Sequence, residues 1–182
     1  FINFFIYMVI AVFIAGQMIG RTPDFLGKKL ESKEIKIAAL VLILHPLLIL
    51  GGTALSSYLI TNDPDLGWLN NPGFHGLSEM MYEFTSSSAN NGSGFEGLGD
   101  NTPFWNIANG IVMLLARFIP IIGPLAIAGS LSAKKFVPES AGTLKLDTPA
   151  FATVLFAIIL IVSALAFFPA LALGPIAEYF TL

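Results

Sequence analysis

Four stretches of this chain are apolar over about 18–26 residues each: Ile2–Ile19, Ile35–Ile60, Phe104–Gly129 and Ala150–Leu173. At about 1.5 Å of rise per residue, each makes a helix long enough to cross a hydrocarbon layer of roughly 30 Å. Polar or helix-breaking interruptions are few: Asn3 and Gln17, then His45-Pro46 and Gly51-Gly52, then Arg117, Pro120 and Pro124, and Pro169 near the end of the fourth stretch. Charged residues are 12% of the chain and hydrophobic ones 55%, a balance far from that of soluble domains. An all-α integral membrane fold is the expectation. The lack of cysteine excludes disulfides and thiolate metal sites. The sequence opens at Phe1 inside an apolar stretch, without Met or a charged leader, and so reads as a C-terminal piece of a longer protein.

The charges give the orientation. Arg21, Lys28, Lys29, Lys33 and Lys36 fall between the first two stretches, or beside them, and Lys134, Lys135 and Lys145 between the last two. The segment Thr61–Pro103 has no Lys or Arg, but carries Asp63, Asp65, Glu79, Glu83, Glu96 and Asp100. The positive-inside rule then predicts cytoplasmic basic loops, with Thr61–Pro103 and both ends of the chain facing outward.

Within that outward segment, Phe74–Phe84 reads as a short helix, with Leu77, Met80, Met81 and Phe84 on one face. Thr85–Phe95 follows, reading Thr-Ser-Ser-Ser-Ala-Asn-Asn-Gly-Ser-Gly-Phe, uncharged and made of small, amide or hydroxyl residues up to its last position. Polar non-helical backbone at membrane depth survives only where protein or a water-filled path surrounds it. Carbonyls of such a loop can replace an ion's hydration shell. A short helix aimed inward presents its negative C-terminal end, which favours a cation. Thr102 as N-cap and Pro103 at the first helical position open the third apolar stretch.

This order of elements, with these residues, resembles the potassium-binding A subunit of the Kdp potassium-transporting ATPase. The resemblance runs through Val12–Lys29, Asn71–Glu79, Ser87–Phe95, Asn101–Asn106, Ala126–Lys135 and Phe168–Tyr179. It implies the channel-like helix–pore loop–helix fold, with four transmembrane helices and one re-entrant pore helix in this sequence. Residues 1–20 would be the last helix of a third repeat and 21–34 a basic loop. Residues 35–129 would form the fourth repeat, with a pore helix at about 74–86 and a filter loop at about 87–95. A second loop (130–149) and a final helix (150–182) would follow. Three further repeats would complete the filter, and ATP hydrolysis would belong to a catalytic P-type ATPase subunit, with small accessory subunits alongside, in a bacterial or archaeal plasma (inner) membrane.

By the same resemblance Gly92 lets the backbone turn carbonyls toward the ion, and Asn90, Asn91, Ser93 and Gly94 shape the loop. Potassium would be held by the backbone of Asn91, Gly92 and Ser93 as transported ligand, with no organic cofactor. Arg117, the one basic residue deep in an apolar stretch, would limit ion passage or repel cations in the cavity; the simpler reading is an anchor to a helix end or carbonyl. Glu79 and Glu83 would concentrate cations at the pore mouth. His45 is expected to bond a neighbouring helix. His75 and Glu79 stand at i, i+4, too few ligands for a metal site and better suited to ordering the helix. Gly16 and Gly20 mark close helix packing, and the basic loops meet anionic lipid or dock a partner subunit. No catalytic residue is expected: phosphate-loop and Asp-Lys-Thr-Gly motifs are missing, as are Gly-x-Ser-x-Gly and His-Glu-x-x-His, which speaks against an intramembrane hydrolase. Nothing suggests nucleic-acid binding. A passive or ion-coupled potassium channel or transporter with the same pore, and a structural scaffold subunit, are the competing readings.

Overall fold

A computed structural model describes residues 2–138, 140, 142–166 and 168–181. The elements in order are α1 (Ile2–Ile19), a hairpin of β1 (Asp24–Phe25) and β2 (Lys28–Lys29), α2 (Ser32–Asn62), α3 (Phe74–Ala89), α4 (Pro103–Ser132), α5 (Pro149–Ala166) and α6 (Phe168–Tyr179). Four of them, α1, α2, α4 and α5, are long and apolar enough to cross a membrane. Two compact units divide the chain. One holds Phe1–Ile43 and Ile119–Ser163, the other Leu44–Phe118 and Ala164–Leu182.

Helix ends follow local chemistry. Thr102 Oγ1 accepts the Trp105 amide at 3.4 Å, so Thr102-Pro103 opens α4 as expected. Thr148-Pro149 opens α5 in the same way, with the Phe151 amide 3.2 Å from Thr148 Oγ1. At the start of α2, Glu34 reaches back to the Glu31 amide at 2.9 Å, half of a capping box. α1 ends on Gly20 at φ +67°, and the Arg21 amide bonds the Gly16 carbonyl at 2.9 Å. That is the six-to-one bond of a Schellman cap, which glycine makes without strain. The sequence reading carried the fourth apolar stretch on to Leu173. Helix is described over Pro149–Ala166 (α5) and Phe168–Tyr179 (α6), with residue 167, like residues 1, 139, 141 and 182, outside the described residues.

In the first unit, Val9 and Val12 of α1, Ala38 and Val41 of α2, Ile127 and Leu131 of α4, and Phe151 and Ile158 of α5 form one buried core. Between helices in lipid there is little hydrophobic driving force, so contact must come from close packing. Gly123 provides it: a Cβ there would stand 2.4 Å from Val41 Cγ2. The two basic segments meet each other. Thr22 bridges to Thr143, the Val137 amide donates to the Gly27 carbonyl at 2.9 Å, and the Lys28 ammonium bonds the Lys134 carbonyl. The hairpin turn Leu26-Gly27 has positive φ at both positions, 52° and 70°. A Cβ on Gly27 would overlap the Phe136 ring.

Lys134 closes this end of the unit. Its ammonium donates to Glu34 at 2.8 Å and to the Lys29 carbonyl at 3.0 Å, and pairs with Glu31 at 3.1 Å. Glu34 is fully buried and also accepts from Ser130 Oγ at 2.5 Å. Burial alone would lower the Lys134 pKa, but the bonds to Glu34 and Glu31 outweigh it and hold it above the ordinary lysine value. Stabilisation from this lysine is therefore complete below that ordinary value and is lost as pH rises through the folded-state value. Lys134→Met is expected to destabilise the protein in detergent by about 2 kcal/mol, because the buried Glu34 carboxylate loses its counter-charge. Adding Glu34→Gln should recover part of that loss; thermal unfolding of the two variants measures both effects.

Candidate functional site

The second unit is organised around an aromatic cluster. Trp105 is fully buried between Trp68, Phe84 and Phe104, and Trp68 stacks on Phe104 at 4.9 Å. Gly52 of α2 admits the Phe84 ring, since a Cβ there would lie 2.4 Å from Phe84 Cδ1. α6 packs against α3, where a Cβ on Gly174 would fall 2.8 Å from the Phe74 carbonyl. His75 Nε2 pairs with Glu178 Oε1 of α6 at 3.1 Å.

Glu79 is buried and accepts three hydrogen bonds, from the amides of Asn70 (3.1 Å) and Asn71 (3.0 Å) and from Asn71 Nδ2 (2.7 Å). It fixes the turn that leads into α3. His75 and Glu79 thus face different protein partners. The same Asn70 side chain lies where a Cβ on Gly97 would fall (2.6 Å), and the Gly99 amide donates to the Trp68 carbonyl at 2.7 Å. The far end of the polar loop is therefore tied to the segment that Glu79 orders.

α3 extends to Ala89, so Ser87, Ser88 and Ala89, which the sequence reading assigned to the loop, are its last turn. Serine is a weak helix former, but here the Ser86 and Ser88 hydroxyls have partners that compensate. Ser88 Oγ lies 2.6 Å from Nδ1 of His45, the interhelical bond expected for that histidine. Ser86 Oγ donates to Asn91 Oδ1 at 2.7 Å. Asn90 ends the helix at φ 56°, ψ 34°, its amide bonding the Ser87 carbonyl while the Asn91 amide bonds that of Ser86. This is a Schellman cap with asparagine in the left-handed position usually held by glycine.

Beyond the cap the chain doubles back along α3. Asn91 Oδ1 accepts from Ser86 Oγ, from the Ser93 amide (3.2 Å) and from Ser93 Oγ (3.0 Å). Ser93 Oγ also lies 3.0 Å from the Tyr82 hydroxyl. A Cβ on Gly94 would stand 3.0 Å from Glu83 Oε2, and the Phe95 ring rests on Tyr82 at 4.7 Å. As loop numbers rise from 91 to 95, their partners on α3 fall from 86 to 82. Gly92, at the tip, has φ +72°, and a Cβ there would meet nothing within 4 Å.

Glu83 is half-buried and accepts from Asn109 Nδ2 of α4 at 2.8 Å. Burial, and then the nearby Asp100 carboxylate, push its pKa up against the Asn109 bond that lowers it. Arg117, on the same helix as Asn109, is exposed and has no hydrogen bond or salt bridge among the described residues. The sequence-level candidates thus divide: Asn90, Asn91, Gly92, Ser93 and Gly94 form one structure with Glu83, Glu79 acts on the preceding turn, and Arg117 stands apart. Sequence reading missed Tyr82, Ser86, Trp68 and Asn109. Only Ser86 carried a signal, as part of a serine run too polar for an exposed helix face.

Four helices long and apolar enough to span a bilayer are the mark of a multi-pass α-helical membrane protein. The chain belongs to the family described as potassium-transporting ATPase A subunit, whose family profile matches residues 1–180. It is 66% identical to the potassium-transporting ATPase potassium-binding subunits of Flavobacterium psychrophilum and Flavobacterium johnsoniae, and 54% identical to that of Geobacillus kaustophilus. The alignments cover all of this chain and 33%, 33% and 32% of those proteins, so it spans about a third of the length of the curated relatives it matches.

Asn90→Val is expected to destabilise the α3 cap by about 1–2 kcal/mol, since a β-branched residue resists the left-handed conformation, while Asn90→Gly should be near neutral. Amide exchange across residues 86–94 reads the difference: faster for valine, close to the parent for glycine.

Proposed function

We propose that this chain is the part of a potassium-binding and translocating membrane subunit that supplies one quarter of its selectivity filter, at Asn90–Gly94. The observation that carries this reading is the hairpin of α3 and its loop: an uncharged chain returning along its own helix, with Gly92 at positive φ at the tip. α3 is the pore helix of a fourth helix–pore loop–helix repeat formed by α2, α3, the loop and α4. Carbonyls of Asn91, Gly92 and Ser93 face the ion, and three further loops in the remainder of the protein complete the ring. Relatives bear the name of a potassium-binding subunit of a potassium-transporting ATPase, and the same role fits this chain.

In this mechanism potassium sheds water at the outward mouth, and the fixed carbonyl dipoles replace its hydration shell. The buried end of α3 adds partial negative charge. Glu83 lies at the mouth, and Glu79 contributes through the turn it orders. Arg117, about 21 Å along α4 from Pro103 at the usual rise per residue, repels cations from the cavity or limits their passage. ATP hydrolysis resides on a partner P-type subunit that assembles with this one and small accessory subunits. The setting is the bacterial or archaeal plasma membrane, with basic loops cytoplasmic and the filter loop and C-terminus outside.

Gly92→Asp in the full-length subunit, assembled with its partners, tests the reading. Side chains resist φ +72°, and a carboxylate there would distort the carbonyl ring. Potassium-stimulated ATP hydrolysis should show an apparent potassium affinity reduced by about tenfold or more, equivalent to at least 1.4 kcal/mol, with weaker discrimination against rubidium. Unchanged affinity and selectivity in an assembled complex would exclude this loop from the ion path and favour a scaffold role.

A further inference from the structure

We infer that Glu83 is a positioning residue: it holds the outward leg of the polar loop at Gly94 and is itself anchored on α4 by Asn109. The inference rests on the reading of that loop as part of a filter, and it assigns Glu83 a task different from attracting cations at the mouth.

The geometry comes from the two carboxylate oxygens. Oε1 accepts the Asn109 amide at 2.8 Å. Oε2 lies where a side chain at residue 94 would begin, 3.0 Å from the Cβ position. Glu83 thus fills the space behind the loop backbone and connects it to two helices at once. Gly94 is needed for closeness here, and Gly92 for its φ; the two glycines do different work. Neighbouring contacts point the same way. Ser93 meets the Tyr82 hydroxyl and Phe95 rests on the Tyr82 ring, so three consecutive loop residues register against two consecutive residues of α3.

Asn109 supplies an independent argument. Its bond to Glu83 is its one side-chain hydrogen bond among the described residues, and its Oδ1 is buried without a partner. A leucine at this place on an apolar helix would avoid that loss. An amide at this position is accounted for by what it holds, the Glu83 carboxylate. A group that merely attracted cations would need no such anchor and would do better in water.

Glu83→Leu, Glu83→Gln and Asn109→Leu, each in the full-length subunit within the intact complex, separate the possibilities. Glutamine keeps the size and an oxygen against Gly94, and its NH2 can donate to Asn109 Oδ1 once that amide turns over, but the charge is lost. The expected result is an apparent potassium affinity weakened about tenfold in Glu83→Leu, with reduced potassium-over-rubidium selectivity, and restored to within about twofold of the parent in Glu83→Gln. Asn109→Leu should shift selectivity in the same direction by a smaller factor. Amide exchange across residues 93–97 should quicken in both leucine variants, a readout independent of ion. If glutamine behaves like leucine, the charge matters rather than the position, and the inference is overturned. It is also overturned if Glu83→Leu and Asn109→Leu keep the parent's exchange and selectivity while Gly92→Asp alters affinity; the filter reading would then stand. Ion dependence untouched by Gly92→Asp would instead remove the filter reading itself. Should Glu83→Leu fail to assemble, Asn109→Leu alone decides, since it leaves the loop and its glycines intact.

Discussion

In hydrocarbon, a backbone N–H or C=O that leaves a helix has no water to turn to. Much of the second unit is arranged to meet that demand. The last carbonyls of α3 are taken by the amides of Asn90 and Asn91, and the amide of Ser93 by the Asn91 side chain. The amides of Asn70 and Asn71 go to Glu79, and that of Gly99 to Trp68. A loop held in this way can be polar without being wet throughout.

The same demand explains the composition of α3. Met80 and Phe84 belong to the aromatic cluster, and Phe84 also fits against Gly52 of α2, while Thr85, Ser86 and Ser88 close hydrogen bonds within the protein. Glycines mark where packing must be tightest, at Gly52 against Phe84 and at Gly174 against the Phe74 carbonyl. In a bilayer, dispersion contact and a few interhelical hydrogen bonds replace the hydrophobic effect as the source of helix association. The His45–Ser88 bond is one such contact, placed at the end of α3 that precedes the loop.

The spanning helices were legible from hydropathy alone, and the start of α4 from the Thr-Pro pair. The place of a polar loop was legible as well, because uncharged small residues between apolar stretches are uncommon. What escaped were pairings across long separations. Lys134 and Glu34 are 100 positions apart, and nothing near either residue announces the other. Ser87–Ala89 read as loop because serine's local preference is non-helical, and the override comes from His45, 43 positions before Ser88. Glu79 looked like one of two equivalent acids, yet its burial and three donors separate it from Glu83.

The loop's side-chain and amide contacts close within one stretch of chain, from Trp68 to Asn109, among the described residues. It carries its own scaffold. In a pore assembled from several such hairpins, each wall would keep its shape through its own support. Substitutions in one wall would then leave the shape of the others unchanged. Serine and asparagine could replace the residues of a more regular loop here, provided that α3 changed with them.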